Sequence, residues 1–436
     1  MLRLLRRPLA RARHLRPDTF TSLQRTRAIS SAFDARPQEL SASGQSGRVI
    51  FGAKVAATQL GALSRASGMH KVLLVRDRDA AAAARTQYAE FLLMQAGLPC
   101  FQYTLERDCA TLADVDHAVA TAQRVGADGV VAFGGGNAMD LARAAAVVLA
   151  NGGKANDFVV VTDEDDEIDE LKLQQEQLKT TPLLLVPTIA GSGAEVTRNT
   201  VLLDEDAETK LLFAAGSDIV AEAVIIDPTL MLTVPLRATV QGALTALGQC
   251  LESYLLGCAD DALALEGLEA VAGALAAPLQ EGKLDLKGAV LREQFALGSL
   301  LSGIAANSSG SGAAQALAVS MGGISDLPHT QVATAFLPFV FDRYEELATA
   351  SGFQGPNVAA WMRYVIARFD LPTASTLELE DSLLNGLVDR AAQYQDDSMH
   401  VARSDDNGAV MEKDDLRAII DSAVLVVDPV KEDADE

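Results

Sequence analysis

Two glycine-rich stretches carry the residues of this sequence that are best suited to bind phosphate. The first, FGGGNAMDLARAAA over 133–146, joins an apolar segment to a helical segment through three consecutive glycines. Such a turn leaves backbone N–H groups free to face phosphate oxygens, and the helix dipole adds positive charge there. Asn137 is expected to cap the helix, with Asp140 as the acid of a capping box. A tight strand-to-helix turn without any ligand explains these glycines equally well.

The second stretch, LLLVPTIAGSGAEVT over 183–197, again leaves an apolar segment and presents Gly191, Ser192 and Gly193. Because the carboxyl ends of parallel strands meet at one edge of a sheet, we predict that both loops face one crevice. Asp77, at the end of KVLLVRD, is placed to accept hydrogen bonds from ribose hydroxyls. An N-cap role for the following helix fits Asp77 equally well.

The order of the elements predicts an α/β half followed by a helical half. Apolar strands alternate with helices from GRVIF to AVIID, which indicates a parallel sheet covered on both faces. After Pro235 the pattern is helical, with few strand signals. The predicted fold class is therefore α/β plus all-α: a Rossmann-like N-terminal domain at 45–235 and an all-helical C-terminal domain at 236–425.

Residues 1–36 differ in charge from the rest of the chain. They hold nine Arg against two Asp, within a chain of net charge −23, so the remainder carries about −30. An Arg-rich, Ser-containing start with few acids is typical of a mitochondrial transit peptide, so the expected location is the mitochondrial matrix. A disordered basic arm is the alternative. The acidic remainder disfavours nucleic acid as a partner.

Several other features exclude function classes rather than indicate one. No apolar run reaches the roughly 18 residues of a membrane span, and the four Cys lack CxxC spacing, which favours reduced thiols. The charged stretch 162–179 is expected to be solvated and without a catalytic role, although its acidic part 163–170 would suit a partner surface. The tail 426–436 is expected to be disordered.

Both loops resemble motifs of the iron-containing (group III) alcohol dehydrogenase superfamily, which includes maleylacetate reductases and hydroxyacid–oxoacid transhydrogenases. The superfamily's GGGSxxDxAK motif matches 134–143, with Asn137 in place of Ser and Arg143 in place of Lys. Its PTTAGTGSE motif matches PTIAGSGAE at 187–195. The likeness continues through VIIDPTLMLTVP to GGISDLPHTQVATAFLPFVF, which is closest to maleylacetate reductases.

The resemblance implies that a dinucleotide, NAD or NADP, lies in the cleft between the two domains. Asp77 matches the position whose carboxylate favours NAD, because it bonds the ribose and repels a 2′-phosphate. The pyrophosphate would lie at the first loop, and Thr188 and Ser192 would contact the adenine and nicotinamide ends. The implied cofactor-binding residues are Asp77, Gly134, Gly135, Gly136, Asn137, Asp140, Thr188 and Ser192.

The same resemblance points to a metal site whose ligands have been replaced. The superfamily binds its metal through one Asp and three His. In ALTALGQCLESY, where Glu252 sets the register, Thr245 stands at the Asp position and Gln249 at the first His position. His329 matches one of the remaining His, and Gln315 stands fourteen residues before it, where the other is expected. A catalytic transition metal needs about three His or carboxylate donors, so we expect no iron or zinc.

Two functions follow from these residues. The first is a metal-independent NAD(P)-dependent oxidoreductase acting on a small carbonyl compound, alcohol or oxoacid, because hydride chemistry belongs to the nicotinamide. Thr245, Gln249, Gln315 and His329 would bond the substrate oxygen, with His329 as proton donor. A hydrogen-bonded core histidine is the simpler interpretation of His329, and we identify no cationic anchor for an oxoacid.

The second function is that of a catalytically inactive homologue, a nucleotide-binding or structural subunit of a mitochondrial assembly. The partners expected from the two hypotheses together are a dinucleotide, a small carbonyl substrate, and a second copy of the chain or a larger mitochondrial complex. Neither hypothesis includes nucleic acid or a membrane span.

Overall fold

The computed structural model describes residues 38–40, 47–159, 178–213, 219, 221–257, 261–280, 288–324, 327–350, 357–374, 378–402 and 410–427. The predicted transit peptide at 1–36, the acidic residues 163–170 and the last residues, 428–436, lie outside these ranges.

The N-terminal half is built on a seven-stranded sheet in which six strands are parallel. The strand order is β1-β2-β9-β6-β5-β3-β4, and only β1 runs antiparallel to its neighbour β2. The two central strands, β5 and β6, are buried along their whole length, as expected of a sheet covered on both faces. The strands are β1 Gln38–Leu40, β2 Arg48–Phe51, β3 Val72–Arg76, β4 Cys100–Thr104, β5 Gly129–Gly134, β6 Leu183–Pro187 and β9 Ala223–Ile226.

Helices cover both faces of this sheet. Alternate residues of the strands face opposite sides, so that Leu73 and Val75 pack in one core and Val72 and Leu74 in another. The first core includes helices α3 and α4, and the second includes α1 and α2. The helices are α1 Val55–Ala66, α2 Ala80–Gln95, α3 Leu112–Val125 and α4 Gly136–Asn151. This doubly wound arrangement confirms the Rossmann-like prediction.

The C-terminal half is helical and begins at Leu236, directly after Pro235. One large core joins most of its helices. The helices are α5 Leu236–Leu256, α6 Asp261–Gln280, α7 Ala289–Ser309, α8 Ala313–Ser320, α9 His329–Ala350, α10 Val358–Arg368, α11 Asp381–Ala402 and α12 Lys413–Ala423. A short parallel pair, β10 Glu378–Glu380 and β11 Leu425–Val427, is an addition to the predicted all-helical pattern. Strand β11 also corrects the predicted start of the disordered tail at residue 426, because Val426 and Val427 belong to this strand.

A β-hairpin that the sequence analysis did not predict links the two halves. Its antiparallel strands are β7 Val201–Asp204 and β8 Thr209–Leu212. The turn between them packs so closely on the short 3-10 helix Met321–Gly323 that a side chain at Gly323 would overlap the backbone of Glu208. The hairpin is therefore held against the segment that connects α8 to α9.

Candidate active site

The first glycine loop forms as predicted at the carboxyl end of β5, but its capping differs. Helix α4 begins at Gly136, with Gly135 as its N-cap. The Gly135 amide donates a hydrogen bond of 2.7 Å to Oδ2 of Asp77. Asn137 is not the cap, which corrects our prediction, because its side-chain amide donates instead to the backbone oxygen of Asp108 at 2.8 Å. Asp77 therefore holds the loop through the Gly135 amide. The backbone amides that follow Gly135 at the helix N-terminus remain directed to the cleft.

The second glycine loop, 188–194, lies directly against the first. The backbone N–H of Thr188 donates to the carbonyl oxygen of Gly134 at 2.8 Å. A Cβ at Gly136 would lie 3.5 Å from Cβ of Ala194 and 3.9 Å from Oγ of Ser192, so the helix N-terminus faces this loop at close range. The predicted shared crevice is therefore present. Ser192 lines it, whereas Thr188 is buried and does not.

The helical half holds the second loop in place. Oγ of Ser299 in α7 accepts hydrogen bonds from the backbone N–H groups of Gly191 and Gly193, at 2.9 and 3.2 Å. Nε2 of Gln249 in α5 donates to the carbonyl oxygens of Ser192 and Ser302, at 3.2 and 3.1 Å. The loop thus belongs structurally to both halves, and the cavity beside it is closed by residues of each.

Three of the four positions that match the family's metal ligands line this cavity. Gln249, Gln315 and His329 line it, and Oε1 of Gln315 lies 2.7 Å from Nε2 of His329. Thr245 does not line it, which corrects its assignment to the site. Its hydroxyl donates at 2.9 Å to the carbonyl oxygen of Gln241, one turn earlier in the same helix.

This donor set does not fit iron or zinc. One imidazole and two neutral amide oxygens form a weak donor set for a transition metal, which typically needs about three His or carboxylate donors. Within the described ranges no three His, Cys, Asp or Glu residues are grouped closely enough to hold a metal ion.

The environment of His329 corrects its predicted role as proton donor. Burial, together with the positive charge of Lys210, lowers the pKa of His329 to about 3, although a hydrogen bond to the backbone of Ala318 opposes the shift. The imidazole is therefore neutral near pH 7, and it lacks the additional proton that a general acid would deliver. His329 therefore contacts Gln315 as a neutral hydrogen-bonding group.

A cluster of buried charges lies beneath the first loop. Asp140 lines the cavity, and its Oδ1 lies 3.7 Å from Nη1 of Arg143. Burial raises the pKa of Asp140 to about 7, although Arg143 and Lys210 oppose this effect. Burial likewise raises the pKa of Glu195 to about 7. Arg143 also donates a short hydrogen bond to the carbonyl oxygen of Ala194. Asp140 and Arg143 thus join the two loops, which is a different role from the predicted capping box.

Lys210 is a residue of the cavity lining that was not predicted from the sequence. It lies on β8 opposite Leu203, and its side chain reaches the same cavity as Gln315 and His329. The signal was the two short apolar runs VLL and LLF on either side of an acidic segment in VLLDEDAETKLLF, which is typical of a hairpin with an acidic turn.

An α/β half and a helical half that close around a glycine-lined cleft are typical of two-domain oxidoreductases. Models of the iron-containing alcohol dehydrogenase family match residues 46–228, and those of its C-terminal part match residues 239–424. The chain therefore belongs to the iron-containing alcohol dehydrogenase family.

Individual relatives are distant. Alcohol dehydrogenase 4 of Saccharomyces cerevisiae (strain YJM789) is 29% identical over 273 residues, 62% of this chain and 67% of the relative. The 4-hydroxybutyrate dehydrogenase of Cupriavidus necator is 27% identical over 332 residues, 70% of this chain and 81% of the relative.

Solved structures share the fold. Sulfoacetaldehyde reductase from Bifidobacterium kashiwanohense, in complex with NAD+, superimposes with a TM-score of 0.69 at 20% identity, covering 88% of this chain and 99% of that one. An alcohol dehydrogenase from Oenococcus oeni gives 0.70 at 20% identity, covering 89% of this chain and 100% of that one. Among the described helices, none has the length and hydropathy of a membrane span.

Proposed function

We propose that this protein is an NAD-dependent oxidoreductase that reduces a small carbonyl compound, or oxidises the corresponding alcohol, without a bound metal. The observation that carries the proposal is the meeting of the two glycine loops at one cavity, which Gln249, Gln315 and His329 also line. A dinucleotide along the loops would bring its reactive end to these residues.

The residues of the first loop fit a dinucleotide. Gly136 begins a helix of 16 residues, so the partial positive charge of its N-terminus faces the cleft. The space above Gly136, which a Cβ would begin to fill, is what close approach of a pyrophosphate requires. Asp77 lies beside the loop, where a carboxylate favours free ribose hydroxyls over a 2′-phosphate.

In this proposal the residues that line the cavity orient the substrate by hydrogen bonds, and no metal ion takes part. A bound nicotinamide would exchange hydride with the carbonyl carbon. Gln249 uses both Nε2 protons on the protein, so its Oε1 is an acceptor for a substrate hydroxyl. Gln315 and His329 form one hydrogen-bonded pair, which would offer further hydrogen bonds to the substrate oxygen. The closure of the cavity by both halves removes water from the reacting atoms, which strengthens each of these contacts.

The location and partners of the protein are part of this proposal. The Arg-rich start supports delivery to the mitochondrial matrix, where a dinucleotide and small oxoacids are available. Fusion of residues 1–36 to a fluorescent protein, with deletion of the same residues from the full chain, tests the location. Import that persists without them contradicts it. The oligomeric state, a homodimer or a larger assembly, follows from light scattering of the purified chain.

The function is tested by titrating NADH and NADPH against the purified protein and following the nucleotide fluorescence. Turnover is then measured with small aldehydes, ketones and oxoacids, with and without chelator and with added iron or zinc. We expect NADH to bind more tightly than NADPH and turnover to be insensitive to chelator. Binding without turnover under every condition would instead support the inactive homologue, and turnover that appears only with added metal would contradict metal independence.

A matched pair of variants tests the position of the nucleotide. In Gly136→Ala the new methyl meets only ordinary contacts, at 3.5 Å from Ala194 and 3.9 Å from Ser192, so the fold is preserved while the phosphate cradle narrows. We expect NADH affinity to fall by about tenfold. In Gly288→Ala, at the start of α7, the methyl lies 3.9 Å from Leu291 and outside the cavity. Equal NADH affinity in both variants would contradict the proposed nucleotide position.

A further inference from the structure

Exposed apolar side chains are concentrated at one edge of the sheet. Among the described residues seven large apolar side chains are exposed, and four of them lie on α2 or β4. These are Tyr88, Phe91, Met94 and Phe101, whose exposed fractions range from 39% to 68%. Single exposed apolar side chains are ordinary, whereas a group on neighbouring elements indicates a surface that binds another molecule. This surface is separate from the candidate active site, because none of the four side chains lines the cavity.

Strand β4 leaves one row of backbone groups without a neighbouring strand. It is the last strand in the order of the sheet, and among the described strands it pairs with β3 alone. The bonds to β3 run from Pro99 to Leu105 and use the odd-numbered residues of this segment. Successive residues of a strand direct their N–H and C=O groups to opposite sides, so those of Cys100, Gln102 and Thr104 point outward. The strand CFQYT contains no proline and no charged side chain, which are the residues that usually prevent an edge strand from pairing.

Apolar side chains flank this open edge on both faces of the sheet. Tyr103 packs in the core that includes α3, and Phe101, two residues earlier, lies on the same face. On the other face Cys100 packs against the core that includes α2. Burial, together with the charge of Glu90 in α2, raises the pKa of the Cys100 thiol to about 11, so this side of α2 faces β4. Met94 lies one turn after Glu90 on the same side of the helix.

We propose that β4 pairs with β4 of a second copy of this chain, in antiparallel register about a two-fold axis at Gln102. The outward N–H and C=O groups of Cys100, Gln102 and Thr104 then form about six hydrogen bonds with the same groups of the second copy. Phe101 lies opposite Tyr103 of the partner subunit, and this aromatic pair covers the exposed part of the Phe101 ring. The two seven-stranded sheets become one continuous sheet.

The area of the surface fits a second copy. A large side chain presents about 200 Å², so at their observed exposed fractions the four side chains expose about 400 Å² per copy. A standard interface buries about 1,600 Å² in total, of which somewhat more than half is apolar. Two copies together offer about 800 Å², which is most of that apolar share. The strand is also complementary to itself, because the same outward groups donate and accept on both sides of the axis.

Two variants at the axis separate the dimer from the folded monomer. Gln102→Pro removes an outward N–H, so the monomer keeps every bond between β4 and β3. In the dimer the same change removes a hydrogen bond and places the proline ring against the partner strand. Gln102→Ala is the matched control, because it keeps the N–H and removes only the side chain with its exposed bond to Arg76. Sedimentation velocity of the full chain over a range of concentrations measures association, and thermal unfolding shows that each variant is folded.

A cross-link tests the register without weakening the interface. In an antiparallel pair that exchanges both hydrogen bonds, the opposite Cα atoms lie about 5.5 Å apart, within the range of a disulfide. Gln102→Cys, in a Cys100→Ser background, should therefore form a disulfide-linked dimer under oxidation by copper–phenanthroline, as seen on a non-reducing gel. Tyr364→Cys in the same background is the control, because Tyr364 is 52% exposed but lies on α10 of the helical half.

We expect wild type and Gln102→Ala to associate with similar dissociation constants, and Gln102→Pro to raise this constant by at least about 100-fold. A wild-type chain that is monomeric at about 100 µM would overturn the inference, as would an association that Gln102→Pro leaves unchanged. Equal cross-linking of Gln102→Cys and Tyr364→Cys would also overturn it. If Gln102→Pro does not fold, the cross-link decides, and its absence in Gln102→Cys overturns the inference.

Discussion

A glycine in the helical half determines the position of the second glycine loop. The change to test is Gly303→Ala in α7. Gly303 packs directly on the backbone of Gly193, which has a left-handed φ of 69°. A methyl at position 303 would lie 2.5 Å from the Gly193 carbonyl oxygen and 2.9 Å from its Cα. A methyl carbon and a carbonyl oxygen need about 3.3 Å, so the loop must retreat by about 0.8 Å.

The expected loss of activity follows from this displacement. A misplacement of about 1 Å in a reacting complex can reduce the rate by about 100-fold, so we expect kcat/KM to fall by about 10- to 100-fold. NADH affinity should fall in parallel, because the loop forms one side of the cleft. The expected loss in the free energy of unfolding is modest, because two effects partly cancel. Overpacking costs about 1–3 kcal/mol, and Ala recovers about 0.8–1 kcal/mol in a helix interior.

The control is Gly267→Ala in α6, which overpacks the same half without touching the loop. Its methyl would lie 2.8 Å from Sγ of Cys250 and 3.0 Å from Cβ of Leu301. We expect a similar loss in the midpoint of thermal unfolding but wild-type NADH affinity. The reasoning is refuted if Gly303→Ala binds NADH as wild type does, or if Gly267→Ala weakens NADH binding to the same extent.

Three further changes test other parts of the site. Asp77→Asn keeps an acceptor for the Gly135 amide but removes the negative charge, so the ratio of the Kd for NADPH to that for NADH should fall by at least about tenfold; an unchanged ratio would exclude Asp77 from the choice of cofactor. Burial raises the pKa of Glu252 to about 7 from an ordinary 4.5, so its contribution to stability is full below pH 4.5 and is lost as pH rises through 7. Glu252→Gln should therefore stabilise the protein by roughly 3 kcal/mol at pH 8 and by little at pH 4, measured by urea unfolding, and equal effects at both pH values would contradict the cause. The double variant Gln249→His, Gln315→His, which with His329 places three imidazoles in the cavity lining, should raise bound zinc to about one ion per chain by elemental analysis, whereas the Gln315→His single variant should bind none.

The sheet and both glycine loops could be predicted from the sequence because each depends on local signals. Strands such as LLLVP are short apolar runs that are followed by turn residues. Because these strands alternate with helices along the chain, the sequence predicts a parallel sheet. The hairpin β7–β8 was missed because its strands are only four residues long and enclose an acidic turn. Without the hairpin, the approach of Lys210 to the cavity could not be predicted.

Side-chain roles were harder to predict than positions. Thr245 and Gln249 lie four residues apart on one helix, as the motif indicated, yet only Gln249 reaches the cavity. The shorter Thr245 side chain finds an acceptor in its own helix, whereas the longer amide reaches the loop and α7. The pKa of His329 could not be predicted either, because it depends on burial and on a lysine 119 positions earlier in the sequence.

The residues at the positions that match the family's metal ligands link the elements around the cavity by hydrogen bonds. A metal ion would join the helices around it by binding side chains from each. Here Gln249 joins α5 to the second glycine loop and to α7, and the contact between Gln315 and His329 joins α8 to α9. Hydrogen bonds between neutral groups can thus hold the cavity walls together without an ion.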